Sequence, residues 1–147
     1  MRTRAIITNS LVETQHVAYN FAKHVTGGHT ILLSGDLGSG KTSFTQGLAK
    51  AFGIQQRIIS PSFIILRKYA IATNADSIHD FYHIDLYRIQ NEDEIKDLGI
   101  EDILQNSSAL TVIEWPEKLG RYMPKSAWQL QLTYLDENKR KITIQKI

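Results

Sequence analysis

Residues 35–42 read GDLGSGKT, and this stretch constrains the fold more than any other in the chain. Gly35, Gly40, Lys41 and Thr42 fill the pattern G-x-x-x-x-G-K-[ST], in which each residue type has a physical task. Glycines accept backbone angles that turn successive N–H groups inward, forming a nest for phosphate oxygens. A helix opening at the end of the loop directs its positive end at the same place. Lys41 reaches β- and γ-phosphates, and the Thr42 hydroxyl is suited to ligate Mg²⁺. Such a loop must follow a strand and open a helix. The flanks supply both: "TILLSG" is a short buried strand, and "KTSFTQGLAKAF" places Phe44, Leu48, Ala51 and Phe52 on one helical side before Gly53 stops it. The candidate nucleotide-contacting residues of the loop are therefore Gly35, Asp36, Gly38, Ser39, Gly40, Lys41, Thr42 and Ser43.

The rest of the chain agrees with a strand–loop–helix organisation. Ser10 and Glu13 have capping-box spacing ahead of a helical repeat through Leu11, Thr14, Val17, Ala18, Phe21, Ala22 and Val25, and Gly27-Gly28 ends it. "SFIILRKYAIA" and "IHDFYHIDLYRI" are β-rich runs separated by the polar turn "TNADS". "NEDEIKDLGIEDIL" predicts two short helical turns broken at Gly99, with Ile95, Leu98, Ile103 and Leu104 facing inward. "ALTVIEW" is a buried strand running into Pro116, and "WQLQLTYLDENKRKITIQKI" alternates on both sides of "DENK" as an antiparallel hairpin does. The expected fold class is α/β. A single P-loop NTPase domain over residues 1–147 would have a mainly parallel central sheet with antiparallel additions, including the C-terminal hairpin.

Composition adds only limits. At 42% hydrophobic and 22% charged residues the chain can bury a core and keep a soluble surface, and a net charge of +2 does not demand a nucleic-acid partner. It has no cysteine, which removes disulfides and thiolate metal sites. No apolar run approaches the roughly 18–20 residues of a membrane span, and the start "MRTRAIITNSLVETQ" has no signal-peptide core. A cytoplasmic protein with no membrane partner is the expectation.

The nucleotide and the reaction are narrowed by what accompanies the loop. A guanine site usually carries N-K-x-D and a D-x-x-G sensor; "TNAD" at 73–76 lacks the lysine, and no glycine here follows an aspartate by three. ATP is favoured by elimination. A small-molecule kinase would typically add an arginine-rich lid, and the arginines of this chain are scattered. Hydrolysis needs a carboxylate near Mg²⁺ and a positioned water. Asp85 in "FYHIDLYR" and Glu114 at the end of "LTVIE" are the candidates, and strand alternation sets His83 beside Asp85 on one surface. His79 and His83 invite a zinc reading. On a strand, however, they stand ~13 Å apart. Trp115 reads either as a flank of the nucleotide or as core packing.

Several stretches occur together and in order: "GDLGSGKTSFTQG", "SPSFIILRKY", "HIDLYRI", "DLGIEDIL" and "VIEWPEKL". From Ser10 to Pro124 the chain resembles the bacterial TsaE (YjeE) family, the small ATPase of tRNA threonylcarbamoyladenosine biosynthesis. The resemblance implies slow ATP hydrolysis in a complex with two partners: the transferase subunit that modifies adenosine beside the anticodon, and its paralogous platform subunit. tRNA would be reached through that complex. It also implies roles for residues. Lys41 and Thr42 match phosphate and Mg²⁺ contacts, and Asp85 and Glu114 match acidic residues near metal and γ-phosphate. Trp115 matches the tryptophan that follows, while Leu11 and Thr14 match the region flanking adenine. Where the family commonly reads S-P-T this chain has Ser62, which keeps a hydroxyl for a switch-like contact but loses β-branched stiffness.

Thus the catalytic candidates are Lys41, Asp85 and Glu114, the metal candidates Thr42, Asp85 and Glu114, and Glu114 either completes the metal shell or positions the water. An arginine supplied in trans is worth about 10³–10⁵ in rate, so an isolated enzyme without one is slow. Arg88 in "LYRI" is the candidate within the chain. The alternative is a nucleotide-gated binding module whose ATP-bound state docks partners without essential hydrolysis. Its surface would be the acidic run Glu92, Asp93, Glu94, Asp97, Glu101 and Asp102 around Lys96, which also reads as a solvated helix face. A third reading, a metabolite kinase, predicts transfer to an acceptor rather than to water. The basic "KRK" at 139–141 could meet phosphate, though a charged hairpin end is its ordinary explanation.

Overall fold

The computed structural model describes residues 3–72 and 78–147; the turn read in "TNADS" lies outside the described residues. Strands β1 (Arg4–Thr8), β2 (Thr30–Ser34), β3 (Leu66–Ala70), β4 (Asp80–Asp85), β5 (Ala109–Glu114), β6 (Trp128–Tyr134) and β7 (Arg140–Lys146) form one sheet in the order β1-β7-β6-β2-β5-β4-β3. The inner pairs β6/β2, β2/β5 and β5/β4 are parallel, while β1/β7, β6/β7 and β3/β4 are antiparallel. The expected α/β sheet, parallel in the centre with an antiparallel C-terminal hairpin, is what forms. The hairpin is no appendage, because β6 pairs directly with β2.

Helices α1 (Leu11–Phe21) and α2 (Lys41–Ala51) cover one face of the sheet. Ser10 caps α1 by accepting from the Glu13 N–H at 3.0 Å, and the Glu13 carboxylate accepts the Asn9 N–H. Ala18, Phe21, Phe44 and Leu48 pack there on Ile31, Leu33, Val112 and Leu130. On the other face α3 (Glu92–Asp97), α4 (Ile100–Gln105) and the 3-10 segment Pro116–Tyr122 bring Ile95, Ile100 and Leu119 against Leu32, Ile84 and Ile113. Both faces of β2 and β5 are therefore covered, which is why their sequences are continuous apolar runs rather than alternating ones. Gly99 sits at positive φ between α3 and α4, as the break predicted, and Gly53 at positive φ terminates α2.

Strand β3 is shorter than "SFIILRKYAIA" suggests. The Pro61 carbonyl accepts the N–H groups of both Ile64 and Ile65, and Ile65 takes a left-handed φ of 66°. That turn consumes the first half of the run, so β-propensity there yields to local hydrogen bonding. No helix among the described residues is long and apolar enough to cross a membrane.

Candidate functional site

The loop between β2 and α2 owes its shape to backbone angles that only glycine adopts freely. Gly35 has φ 147° and Gly40, the residue before α2, has φ 102°. A Cβ on Gly35 would stand 2.4 Å from the Leu132 carbonyl oxygen and 2.5 Å from Ser39 Oγ, so strand β6 and the loop leave no room for one. The Gly40 side of the α2 start has no side-chain cap, which leaves the first helical N–H groups to the loop cavity. Lys41 is buried with its ammonium on the loop itself, donating to the Gly35 carbonyl at 2.6 Å and the Asp36 carbonyl at 2.9 Å. Burial pushes the Lys41 pKa down, and the charges of Glu114 and then Asp85 oppose that shift.

The two acidic candidates come together. Asp85 and Glu114 are paired in register at the carboxyl ends of parallel β4 and β5, and both are almost wholly buried. Asp85 is held from both sides: Ser60 Oγ donates to Oδ2 at 2.9 Å and the Tyr87 N–H to Oδ1 at 2.9 Å. The Ser60 hydroxyl also meets that of Ser62 at 2.8 Å, so Ser62 is linked to Asp85 through one intermediate. Glu114 is approached from the core by His83, with Nε2 3.5 Å from Oε1. Trp115 combines both of its readings. It packs on the core of its own face and lies in the cleft wall, its ring 4.8 Å below the Lys41 ammonium and 5.0 Å from the Tyr87 ring.

These groups line one open cleft of about 480 Å³, walled by Leu11, Gly38, Gly40, Lys41, Thr42, Ser43, Ser62, Asp85, Glu114 and Trp115. Its donor set of a hydroxyl and carboxylates beside a phosphate nest suits Mg²⁺, which takes one or two protein carboxylates and completes its octahedron with phosphate and water. Thr42, Asp85 and Glu114 are the side chains available for it. Among the described residues no group of three or more His, Cys, Asp or Glu side chains gathers as a metal site, and His79 is exposed while His83 is in the core, so zinc has no ligand set here.

Some expected residues lie elsewhere. Thr14 is fully buried beneath α1, its hydroxyl 2.8 Å from Thr8 Oγ1, and does not line the cleft, whereas Leu11 does. Gly35, Asp36 and Ser39 form the back of the loop rather than the cleft wall. Arg88 is turned onto the Phe63 ring at 4.3 Å and is not a wall residue. Sequence reasoning missed Leu37, Ser60, Tyr87 and Arg140, all of which line the cleft. Arg140 starts β7, is 6% exposed, and stacks over Tyr134 at 4.6 Å while its Nη1 donates to the Asp136 carbonyl at 2.7 Å. Its Nε is buried without a hydrogen-bond partner among the described residues.

The chain is similar over most of its length to known proteins. A family model described as threonylcarbamoyl adenosine biosynthesis protein TsaE matches residues 8–142. The tRNA threonylcarbamoyladenosine biosynthesis protein TsaE of Rickettsia bellii is 39% identical over 91% of this chain and 89% of its own. The protein of the same name from Bacillus subtilis is 33% identical over 89% and 78%. Among solved structures, Bacillus subtilis YdiB superposes with a TM-score of 0.78 at 25% identity, covering 97% of this chain and 84% of that one.

Proposed function

The chain belongs to the TsaE family, whose role is tRNA threonylcarbamoyladenosine biosynthesis, and on that premise we propose that it is the Mg²⁺-dependent ATPase domain of that system, spanning residues 1–147. The observation that carries the reading is the convergence of Lys41, Thr42, Asp85 and Glu114, from three separate elements, on one cleft. The loop N–H groups and Lys41 bind the phosphates, with the Lys41 ammonium moving from the loop carbonyls to phosphate oxygens. Leu11 and Trp115 bound the nucleotide at the cleft walls. Mg²⁺, when bound, would neutralise charge on the phosphates. Thr42 and Asp85 would hold it, with Ser62 tied to Asp85 through Ser60, and Glu114 would orient the attacking water.

Among the described residues, nothing in the cleft wall besides Lys41 and Arg140 offers a cation to the transferring phosphoryl group, and Arg140 is anchored at the hairpin turn. The isolated protein is therefore slow, and acceleration comes from partners: a threonylcarbamoyl transferase subunit and its paralogous platform subunit, through which tRNA is engaged. The test is phosphate release from Mg-ATP by the purified protein, alone and with both partners, with Lys41→Ala as blank. Slow release that rises with the partners is expected. ATP binding without release in either condition would overturn the ATPase reading and leave a nucleotide-gated docking module.

A further inference from the structure

We infer that His83 is a positioning residue for Glu114: its Nε2–H, fixed in the core, holds Oε1 so that the other carboxylate oxygen is presented to the cleft. The juxtaposition follows from the ladder. His83 on β4 is in register with Val112 on β5, and Glu114 lies two residues further along the same face of β5. His83 therefore reaches diagonally across the ladder to Glu114, while Asp85, two residues along its own strand, is already held by Ser60 and the Tyr87 N–H.

The polar atoms at this point favour one arrangement. His83 is fully buried and Glu114 nearly so. Among the described residues neither ring nitrogen of His83 nor Oε1 of Glu114 has a conventional hydrogen-bond partner, and the 3.5 Å approach between Nε2 and Oε1 is the one polar contact joining them. A buried carboxylate oxygen facing an imidazole lone pair is repulsive. With the proton on Nε2 the same 3.5 Å approach is an attractive N–H-to-carboxylate contact, one that a small shift of either side chain closes into a hydrogen bond, and Nδ1 then faces the core as a bare acceptor. Glu114 selects that tautomer, and the tautomer in turn fixes the carboxylate.

The consequence concerns Lys41. Glu114 is the carboxylate whose charge acts most strongly on the Lys41 ammonium. A Glu114 carboxylate turned towards that ammonium would have its charge spent on it rather than on the cleft. A donor anchored in the sheet keeps them apart at no cost in reorganisation when nucleotide arrives.

This inference rests on the reading of Glu114 as the residue that orients water, and the experiment separates the two. ATP turnover and nucleotide affinity are measured for His83→Phe, His83→Gln and Glu114→Gln, with a thermal melt of each. His83→Phe keeps a planar ring, slightly larger, and removes the donor. It should lower kcat about 10–100-fold, the usual cost of losing such an orienting partner, with KM little changed. His83→Gln, which restores an N–H donor, should recover part of the rate. In the nucleotide-free native protein, nitrogen NMR of the imidazoles should find His83 protonated at Nε2, with a resonance that moves in Glu114→Gln. A His83→Phe enzyme as fast as the native one, or a native His83 protonated only at Nδ1, overturns the inference. Native-rate hydrolysis by Glu114→Gln overturns instead the role given to Glu114. If His83→Phe melts below the assay temperature, the tautomer in the native protein decides alone.

Discussion

Arg140→Ala separates a nucleotide contact from a structural staple. Arg140 sits at the cleft wall with its Nε and Cγ 3.8 Å from where a Cβ on Gly40 would lie, so it flanks the loop proposed to hold phosphates. Its Nη1 is committed to the Asp136 and Lys139 carbonyls, its face to Tyr134 and its Nε is buried, which leaves Nη2 for the cleft. A hydrogen bond from this cation to a nucleotide is worth about 1.5–3 kcal/mol, a rise of about 10–100-fold in Kd when removed. On the stability side the variant loses two carbonyl contacts at about 1 kcal/mol each. Relief of burying an unpartnered Nε returns part of that. Over 147 residues a net loss of about 1–2 kcal/mol lowers Tm by about 3–6 °C. Calorimetric titration with Mg-ATP reads the first quantity and a thermal melt the second. Arg140→Lys keeps the charge but not the fork and should recover less than half of the lost affinity in free-energy terms. ATP affinity unchanged within about twofold in Arg140→Ala, beside a lowered Tm, would refute the contact and reduce Arg140 to a staple of the hairpin.

Two further outcomes follow from packing and from local charge. Gly47→Ala should destabilise although alanine is the better helix former by about 1 kcal/mol. The new Cβ would stand 2.2 Å from the Gln15 carbonyl oxygen and 2.8 Å from the Ala18 Cβ where α1 crosses α2, and overpacking of that kind costs about 1–3 kcal/mol. A Tm at or above the native value would contradict it. Asp136, whose carboxylate accepts the Asn138 and Lys139 N–H groups, has its pKa lowered by those two bonds. Its contribution to stability is present above the unfolded value of 3.8 and is lost as pH falls through the lower folded value. Urea melts of the native protein and Asp136→Ala should therefore differ at neutral pH and converge in acid; a gap independent of pH would show that the carboxylate charge is not what holds the turn.

What was legible in the sequence was whatever depends on neighbours along the chain. The phosphate loop is contiguous, so Gly35 to Ser43 could be read as a unit together with the strand and helix it requires. Ser10 was legible as a cap for the same reason. Strand alternation placed His83 and Asp85 on one face correctly, but the partner His83 meets is Glu114, across the ladder on another strand. Thr14 fits the inward stripe of α1 and is indeed inward, buried against Thr8 rather than set at the cleft. In "SFIILRKYAIA" the β-rich composition concealed a turn, because the Pro61 carbonyl captures two successive N–H groups before the strand begins. Arg140 was legible only as one of three basic residues able to meet phosphate, with nothing to place it at the cleft. A "KRK" beside a hairpin turn is an ordinary solvated end until the strand order is known.

That strand order is what makes the site. Beyond β2 the sheet continues through β5 and β4 on one side and through β6 and β7 on the other. The carboxyl end of β2 is thus where two series of strands diverge, the position at which open α/β sheets leave a crevice. From one side β4 and β5 deliver Asp85 and Glu114 in register. From the other, β6 presses its Leu132 carbonyl against Gly35, shaping the loop, and β7 begins with Arg140 at the wall. A chain that ended after Pro116 would keep every residue of the phosphate motif and both acids. It would lack the strand that fixes the loop backbone and the cation that faces it. The hairpin, least distinctive in sequence, is therefore part of the nucleotide site rather than a cover for the sheet edge.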